Sequence, residues 1–308
     1  MLFRSGDKTA PDTLRAWLGS NDWARMEAAA CAMASNSTLA AAVLEDAQSA
    51  YLRLTGKGRG AEAVELLDIA PGIRQSLAQG LAPKMTPLLG SAQSDVVSSA
   101  CRLVAALGVP GRVHAPRLLE IFKHGDADTS WAAARALDAL GVPEELAADT
   151  LAAIVPVLGE GAYERQWGGL QVLQRLGGKA APALDRVKAV AAQKDGCLAI
   201  LAWDVLIAIG EPAVPAMAEL LIPVHDRDYR LLLRLHALRQ RDVSAVIAEI
   251  ERLTGGNEEK RKAVAPVLGT IRRIEARVRA ADIEAMLKAD PSKLVLADLL
   301  AVLRDPHA

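Results

Sequence analysis

The stretch "IGEPAVPAMAELL", residues 209–221, decides the fold because it joins the end of one helix to the start of the next. Its Gly-Glu-Pro segment interrupts an apolar helical pattern, which resumes around Pro215. A glycine aligned with Gly210 follows three earlier helix-length segments: Gly108, Gly141 and Gly177. The four glycines are 33, 36 and 33 residues apart. A helical pattern that recurs at this period predicts stacked helical pairs, in which no pair can bury its apolar face alone.

The four aligned segments carry the same kind of residue at the same offsets. Eight, four and one positions before each glycine there is a small or apolar residue, which predicts a stripe that faces a neighbouring helix. In the segment that ends at Gly141 these residues are Ala133, Leu137 and Leu140. We expect each glycine to end its helix. The acidic residues thirteen positions before the glycine are expected in the first helical turn, and they are Asp95, Asp128 and Glu164.

The composition agrees with a broad, thin helical core. Hydrophobic residues make up 51% of the chain and aromatic residues only 3%, so the apolar content is mainly Ala, Leu and Val. No run approaches the length of about 18 apolar residues expected of a membrane span, and residues 1–12 lack an apolar leader segment, so we predict a cytoplasmic protein. Cys31, Cys101 and Cys197 have no CxxC spacing and are predicted to be buried free thiols.

A family resemblance follows from these repeats. The pattern of Gly, then Ala-x-Pro with apolar residues every three or four, then Asp, a small residue and Leu before the next Gly resembles HEAT repeats. The most similar variety is the short bacterial HEAT-like repeat also found in phycobilin lyases, over about residues 80–225 and on to about 255. The resemblance implies an all-α fold: an α-solenoid, or superhelix, of HEAT-like helical pairs whose second helices line a concave surface. The family's basic residue early in the second helix is replaced here by Val97, Ser130, Gln166 and Ala199.

Both ends of the chain diverge from the repeat, as terminal caps do. We predict an N-terminal helical cap or degenerate repeats in residues 1–79, the repeat array in residues 80–255 and a C-terminal helical cap in residues 256–308. The first region is expected to form three helices before the loop "TGKGRG", residues 55–60. In the last region Asp290 is expected to cap a helix, and a stripe of leucines is expected to seal the final repeat: Leu296, Leu299, Leu300 and Leu303.

The chain lacks the motifs of common enzymes and cofactor sites. It contains no HExxH, GxSxG, complete GxGxxG or GxxxxGK[ST], and none of its histidines precedes a Glu, as in the iron-binding HEAT-repeat hydroxylases. The segment most similar to a metal site is "EIFKHGDAD", with Glu120, His124, Asp126 and Asp128. Capping explains these residues better, because His suits a helix C-terminus and Asp an N-terminus. We therefore predict no catalytic residues, no metal and no cofactor.

The candidate binding residues lie on the face opposite the apolar stripe. Tryptophan occurs ten positions before two of the glycines, and polar residues occur six positions before all four. We predict that six of these residues line the concave surface: Trp131, Arg135, Trp167, Gln171, Arg102 and Asp204. Tryptophan and arginine in a groove are typical of binding hot spots, and Arg135 is one turn from Trp131. The alternative is that each tryptophan wedges between neighbouring repeats. Trp203 falls beside the stripe and is predicted to be core.

Charge distinguishes the C-terminal third. Residues 1–220 carry 20 basic and 24 acidic side chains, whereas residues 221–308 carry 16 and 13. Arginines in this third share helix faces and form a candidate basic patch: Arg227, Arg230, Arg234, Arg273 and Arg277. Such a patch suits nucleic acid, an anionic membrane or an acidic protein. The alternative is a solvated face with helical ion pairs, because acidic residues are interleaved with the arginines.

Three functions follow from these features. The leading prediction is a non-catalytic scaffold or adaptor that binds a protein or peptide partner on the concave surface. The second is a nucleic-acid or anionic-surface binder that uses the Arg-rich third; HEAT-like DNA glycosylases are the precedent, and Asp138 and Asp204 are the acidic candidates among the groove aromatics. The third is a tetrapyrrole lyase-like protein, suggested only by the repeat variety.

Overall fold

The computed structural model describes residues 9–69, 73–193, 196–222 and 244–289 of the chain. Every regular element in these ranges is a helix, so the fold is all-α, as the sequence predicts. The chain divides into two compact units. The first comprises Met1–Ala153 and Gly161–Val172, and the second comprises Ile154–Glu160 and Leu173–Ala308. No helix in the described ranges is long and apolar enough to cross a membrane.

Within each described range the helices follow one another with short connections. The first ten are α1 (Ala10–Gly19), α2 (Trp23–Ser35), α3 (Ser37–Ala42), α4 (Leu44–Gly56), α5 (Gly60–Ile69), α6 (Arg74–Leu81), α7 (Met85–Leu89), α8 (Ser94–Leu107), α9 (Ala115–His124) and α10 (Ala127–Leu140). The others are α11 (Ala147–Ile154), α12 (Tyr163–Leu176), α13 (Leu184–Ala191), α14 (Cys197–Ile209), α15 (Val214–Leu221), α16 (Ser244–Thr254) and α17 (Glu258–Ala289). Short 3₁₀ segments precede several of them, including Val109–His114, Gly177–Ala183 and Glu211–Ala213.

The aligned glycines end their helices, as the sequence predicts. The helices α8, α10, α12 and α14 each end one residue before the glycine. All four glycines have positive φ, and Gly108 and Gly210 share almost the same conformation, with φ 63° and ψ −136° in one and φ 81° and ψ −138° in the other. A side chain would be strained there. The recurrence of glycine in the sequence therefore reflects a turn that requires positive φ after each of these helices.

The helix starts agree with the sequence in most respects. Acidic residues lie in the first turns of α8, α10 and α12, as predicted. Asp126 is the N-cap of α10, and its carboxylate accepts a hydrogen bond from the Thr129 N–H at 2.8 Å. Pro116 and Pro215 lie in the first turns of α9 and α15. Pro182 instead lies within the 3₁₀ segment before α13, where its fixed φ suits the helical backbone.

In the first unit, α8 is the central helix. It packs against α5, α6, α7 and α10, and α10 also packs against α9. The predicted stripe is buried at Ala100 and Val104 of α8 and at Ala133 and Leu137 of α10. Leu107, at the end of α8, is only half-buried. Full burial of a leucine or valine stabilises the fold by about 1.5–3 kcal/mol, so this stripe holds the two helices together.

Polar contacts join the starts of neighbouring helices in the first unit. They occur near the positions where HEAT repeats, which the sequence resembles, carry a basic residue. Arg165, the residue before Gln166, donates hydrogen bonds to the Gly125 carbonyl at 2.5 Å and to the Ser130 hydroxyl at 3.1 Å. The Ser94 hydroxyl donates to the Asp126 carboxylate at 2.5 Å. Neighbouring turns in the first unit are therefore linked, although by other residues than the resemblance implies.

In the second unit, α13 packs against α14 and α15, α15 against α16, and α16 against α17. Trp203 of α14 is 1% exposed, which confirms its assignment to the core. The stripe residues Ala202 and Leu206 are buried on the same helix. This unit thus uses the same pattern of small and branched residues to bury its helices.

Three details differ from the sequence predictions. The third N-terminal helix is split at Val43 into α3 and α4. The predicted loop at residues 55–60 is shorter, because α4 extends to Gly56 and α5 begins at Gly60. Cys101 is buried, but Cys31 and Cys197 are exposed, because each lies off the buried face of its helix. All three are free thiols, as predicted. Asp290 and the C-terminal leucine stripe lie outside the described residues.

Candidate functional site

The clearest functional feature is a tryptophan and an arginine on the outer face of α10. Trp131 and Arg135 are four residues apart, and this spacing places them on the same face of a helix. The guanidinium carbon of Arg135 lies 4.9 Å from the centroid of the Trp131 ring. Trp131 is half-buried and Arg135 is exposed. A cation over an indole face at an exposed site contributes about 0.5–1 kcal/mol, so the two side chains hold one another in place.

This pair lines a cleft with a volume of about 380 Å³ in the first unit. Arg102 of α8, Asp68 near the end of α5 and Arg74 at the start of α6 line it as well. Alanines of α8 and α10 complete the lining, since their small side chains leave the space open. We call this space the α8–α10 cleft. It therefore combines one aromatic surface, three guanidinium groups and one carboxylate.

The charges of the cleft are unevenly paired. The Asp68 carboxylate accepts a hydrogen bond from Arg102 at 2.5 Å and lies 3.6 Å from the Arg74 guanidinium. Among the residues that the structure describes, no carboxylate forms an ion pair with Arg135. Arginine stays protonated at all physiological pH values. The cleft therefore has an excess of positive charge, and this excess is located at Arg135.

The structure brings together three of the six residues predicted for the concave surface. Arg102, Trp131 and Arg135 line the α8–α10 cleft. Trp167 and Gln171 lie on α12 and do not line it. Asp204 belongs to the second unit.

The two tryptophans differ in their neighbours. The Trp167 ring lies 5.9 Å from the Tyr163 ring, with an angle of 36° between the planes. Like Trp131, Trp167 is half-buried. The Gln171 side-chain oxygen is buried without a hydrogen-bond partner among the described residues. The Trp167 surface thus lacks the cation that Trp131 has.

Asp68 and Arg74 are the residues that the sequence analysis missed. Both fall within residues 1–79, which the repeat register does not cover. One signal was present: Asp68 lies in the last turn of α5, where the helix dipole disfavours a carboxylate. An acidic residue in such a place is expected to have a cationic partner, and here it has two.

Only part of the predicted basic patch lies within the described residues. Arg227, Arg230 and Arg234 lie outside the described residues, and so does the side chain of Arg277. Arg273 is exposed on α17 and donates a hydrogen bond to the Thr270 hydroxyl at 2.9 Å. These positions therefore stay predictions.

The candidate metal ligands near α9 are engaged in helix capping and ion pairs. Asp126 caps α10, and the hydrogen bond from Ser94, followed by those from Thr129, lowers the pKa of its carboxyl. Glu120 is 2.9 Å from Lys123 and 3.5 Å from His124. In the described part of the chain no three potential ligands are grouped to hold a metal ion. Capping of α10 by Asp126 is thus confirmed.

Sequence comparisons do not assign the chain to a family. No protein-family model matches it, and no curated protein shows a significant match. The resemblance to HEAT repeats therefore rests on the recurring residues and helix ends described above. The α8–α10 cleft is therefore the basis for the proposed binding function.

Proposed function

We propose that this chain is a non-catalytic scaffold or adaptor that binds a peptide segment of a partner protein in the α8–α10 cleft. The observation that carries the proposal is Arg135 held over Trp131 at the edge of an open cleft. Tryptophan and arginine are the residues most enriched among binding hot spots, where large side chains are presented with little loss of entropy. Trp131 is the apolar anchor in this proposal.

The non-catalytic part of the proposal is supported by the chemistry of the cleft. Cys101 is the potential nucleophile in its wall, but burial raises the pKa of this thiol to about 12. The thiol therefore stays protonated at neutral pH, and a thiol is a poor nucleophile compared with a thiolate. The free cysteines are also typical of a reducing compartment, so we propose a cytoplasmic location.

We further propose that the helical pairs are HEAT-like repeats of an α-solenoid, with the array in residues 80–255 and caps in residues 1–79 and 256–308. The shared turn at the aligned glycines supports this assignment. Repeats of this kind present the same position of successive helices on one surface. Arg102 and Arg135, six residues before Gly108 and Gly141, are such a pair, and both line the cleft.

The test is selection of peptides from a random dodecapeptide display library on the immobilised full chain. We expect enriched peptides to bind in solution and to lose about 30-fold in affinity with Trp131→Ala, because a hot-spot tryptophan contributes about 2 kcal/mol. Trp167→Ala is the matched control and should leave the affinity unchanged. The thermal unfolding of each variant checks that it is folded. Failure to enrich any peptide, or equal binding to Trp131→Ala, contradicts the proposal.

A further inference from the structure

We propose that the peptide bound in the α8–α10 cleft is acidic, and that one of its carboxylates pairs with Arg135 beside Trp131. This inference rests on the proposed function and specifies the partner's chemistry. It commits to an acidic peptide segment rather than to a nucleic acid. Three features of the cleft support it: the geometry of Arg135, the ion pair of Asp68 and the distribution of charge.

Arg135 is positioned to receive a carboxylate. Its guanidinium carbon lies over the Trp131 ring, 4.9 Å from the centroid. A guanidinium has five N–H donors around its plane, so the donors that point away from the ring can form a bidentate pair with a carboxylate. Among the described carboxylates, none forms an ion pair with Arg135. The tryptophan thus orients the arginine before any ligand arrives, which lowers the entropic cost of binding.

Asp68 shows which ligand chemistry this surface accepts. Arg102 and Arg135 occupy the same register position on successive second helices, α8 and α10. At Arg102 the position opposite the guanidinium is filled from within the chain by the Asp68 carboxylate, at 2.5 Å. At Arg135 none of the described carboxylates plays this part. A carboxylate supplied by a partner would repeat at Arg135 the contact that Asp68 makes one helical pair earlier.

The charge around the cleft favours a peptide over a nucleic acid. A phosphate backbone carries a charge on every nucleotide, so in this cleft it would approach Asp68 as well as the arginines. An acidic peptide can place one carboxylate at Arg135 and an apolar side chain against Trp131. A volume of about 380 Å³ is large enough for a few side chains.

The experiment compares the peptides that the random dodecapeptide library yields on the full-length wild type and on Arg135→Gln. We expect the wild-type pool to be enriched at least about threefold in Asp and Glu over Asn and Gln, and the Arg135→Gln pool to lose this enrichment. Arg25→Gln is the matched control, because Arg25 is an exposed arginine outside the cleft, with 63% of its side chain accessible. Its pool should resemble that of the wild type.

Fluorescence anisotropy then measures the most enriched acidic peptide against a counterpart in which every Asp and Glu is an amide. We expect the acidic form to bind the wild type about tenfold more tightly, and Arg135→Gln to remove this preference. Arg135→Lys should retain part of it, because the charge stays but the planar fork is lost. Asp68→Asn should raise the affinity of the acidic form a few-fold, since it releases Arg74 and Arg102.

The outcomes separate this inference from the proposed function. If peptides are enriched and depend on Trp131, but the acidic and amide forms bind equally, the peptide-binding function stands and the acidic specificity is wrong. If an octathymidylate strand binds more tightly than the acidic peptide and depends on Arg135, the ligand class is wrong. If no peptide is enriched, both proposals fail. A fall in affinity with Asp68→Asn would contradict the role given to Asp68.

Discussion

Trp131 and Trp167 occupy the same position of two aligned helices, yet their surroundings differ. Four residues after Trp131 is Arg135, whose guanidinium lies over the indole, and four residues after Trp167 is Gln171, whose side-chain oxygen is buried without a described partner. Four residues before Trp167 is Tyr163, whose ring contacts the indole. The Trp131 ring contacts a cation and lines a cleft, whereas the Trp167 ring contacts another aromatic ring. A repeat register therefore predicts where a side chain lies, and its neighbours decide what that side chain can bind.

The largest expected effect is on stability. It comes from the close contact between α10 and α12, the two helices that carry these tryptophans. A Cβ added at Gly168 of α12 would lie 2.6 Å from the Cβ of Ala134 on α10. Overpacking of this kind costs about 1–3 kcal/mol, so Gly168→Ala should lower the free energy of unfolding by about 2 kcal/mol in urea denaturation. Gly269→Ala is the matched control, because its Cβ would meet nothing within 4 Å, and it should be neutral or stabilising.

A second substitution tests whether the contact itself is responsible. Because the clash at Gly168 is with the Cβ of Ala134, the double variant Gly168→Ala/Ala134→Gly should recover much of the lost stability. Equal stability of Gly168→Ala and the wild type would show that α10 and α12 pack less closely than a Cβ–Cβ distance of 2.6 Å implies.

The starts of the same two helices differ as well, and this difference predicts an intermediate effect. Asp126 caps α10, whereas the residue before α12 is Ala162, whose methyl group cannot accept a hydrogen bond. Asp126→Ala should cost about 1 kcal/mol of stability, and Ala162→Asp should add up to about that amount. Chemical denaturation measures the change in the free energy of unfolding for both variants. Asp126→Ala should lower this free energy and Ala162→Asp should raise it. Destabilisation by both variants would contradict the role given to the N-cap residue.

The cap on α10 should also respond to pH. The hydrogen bond from Ser94, with those from Thr129, holds the pKa of the Asp126 carboxyl below its usual value. In the unfolded chain the pKa of an Asp carboxyl is about 3.9, and above this pH the carboxylate contributes its full stabilisation to the fold. The contribution is lost as the pH falls through the lower pKa of the folded state. The difference in unfolding temperature between wild type and Asp126→Asn should therefore be constant from about pH 7 to 5 and shrink below about pH 4. A difference that stays constant down to about pH 3 would exclude this role.

The smallest expected effect comes from making the Trp167 surface resemble the Trp131 surface. Gln171→Arg places a guanidinium four residues after Trp167, as Arg135 is four residues after Trp131. We expect the affinity of the acidic peptides to change by less than about twofold, because the Trp167 surface does not line the α8–α10 cleft and an additional exposed cation contributes well under 1 kcal/mol. Isothermal titration calorimetry measures the change, with Gln171→Met as the uncharged control. A clearly larger rise with Gln171→Arg than with Gln171→Met would show that the Trp167 surface also binds the acidic peptides.

Part of this site could be predicted from the sequence because it depends on local geometry. The spacing of Trp131 and Arg135 on one helix is enough to place them together, and the structure confirms that pairing. The other side of the cleft could not be predicted in this way. Asp68 and Arg74 belong to helices that the repeat register does not include, and their approach to Arg102 depends on how α5 and α6 pack against α8.

The sequence by itself determined that the chain is all-helical and where its central helices end. These properties follow from apolar spacing and from glycines whose positive φ a side chain would strain, and both act within a few residues of the chain. Only the tertiary structure decided that Asp68 pairs with Arg102, 34 residues away, and that Arg135 has no described carboxylate of its own. An ion pair across such a separation depends on the distance between packed helices, because the attraction between two charges falls off with distance and solvent screening.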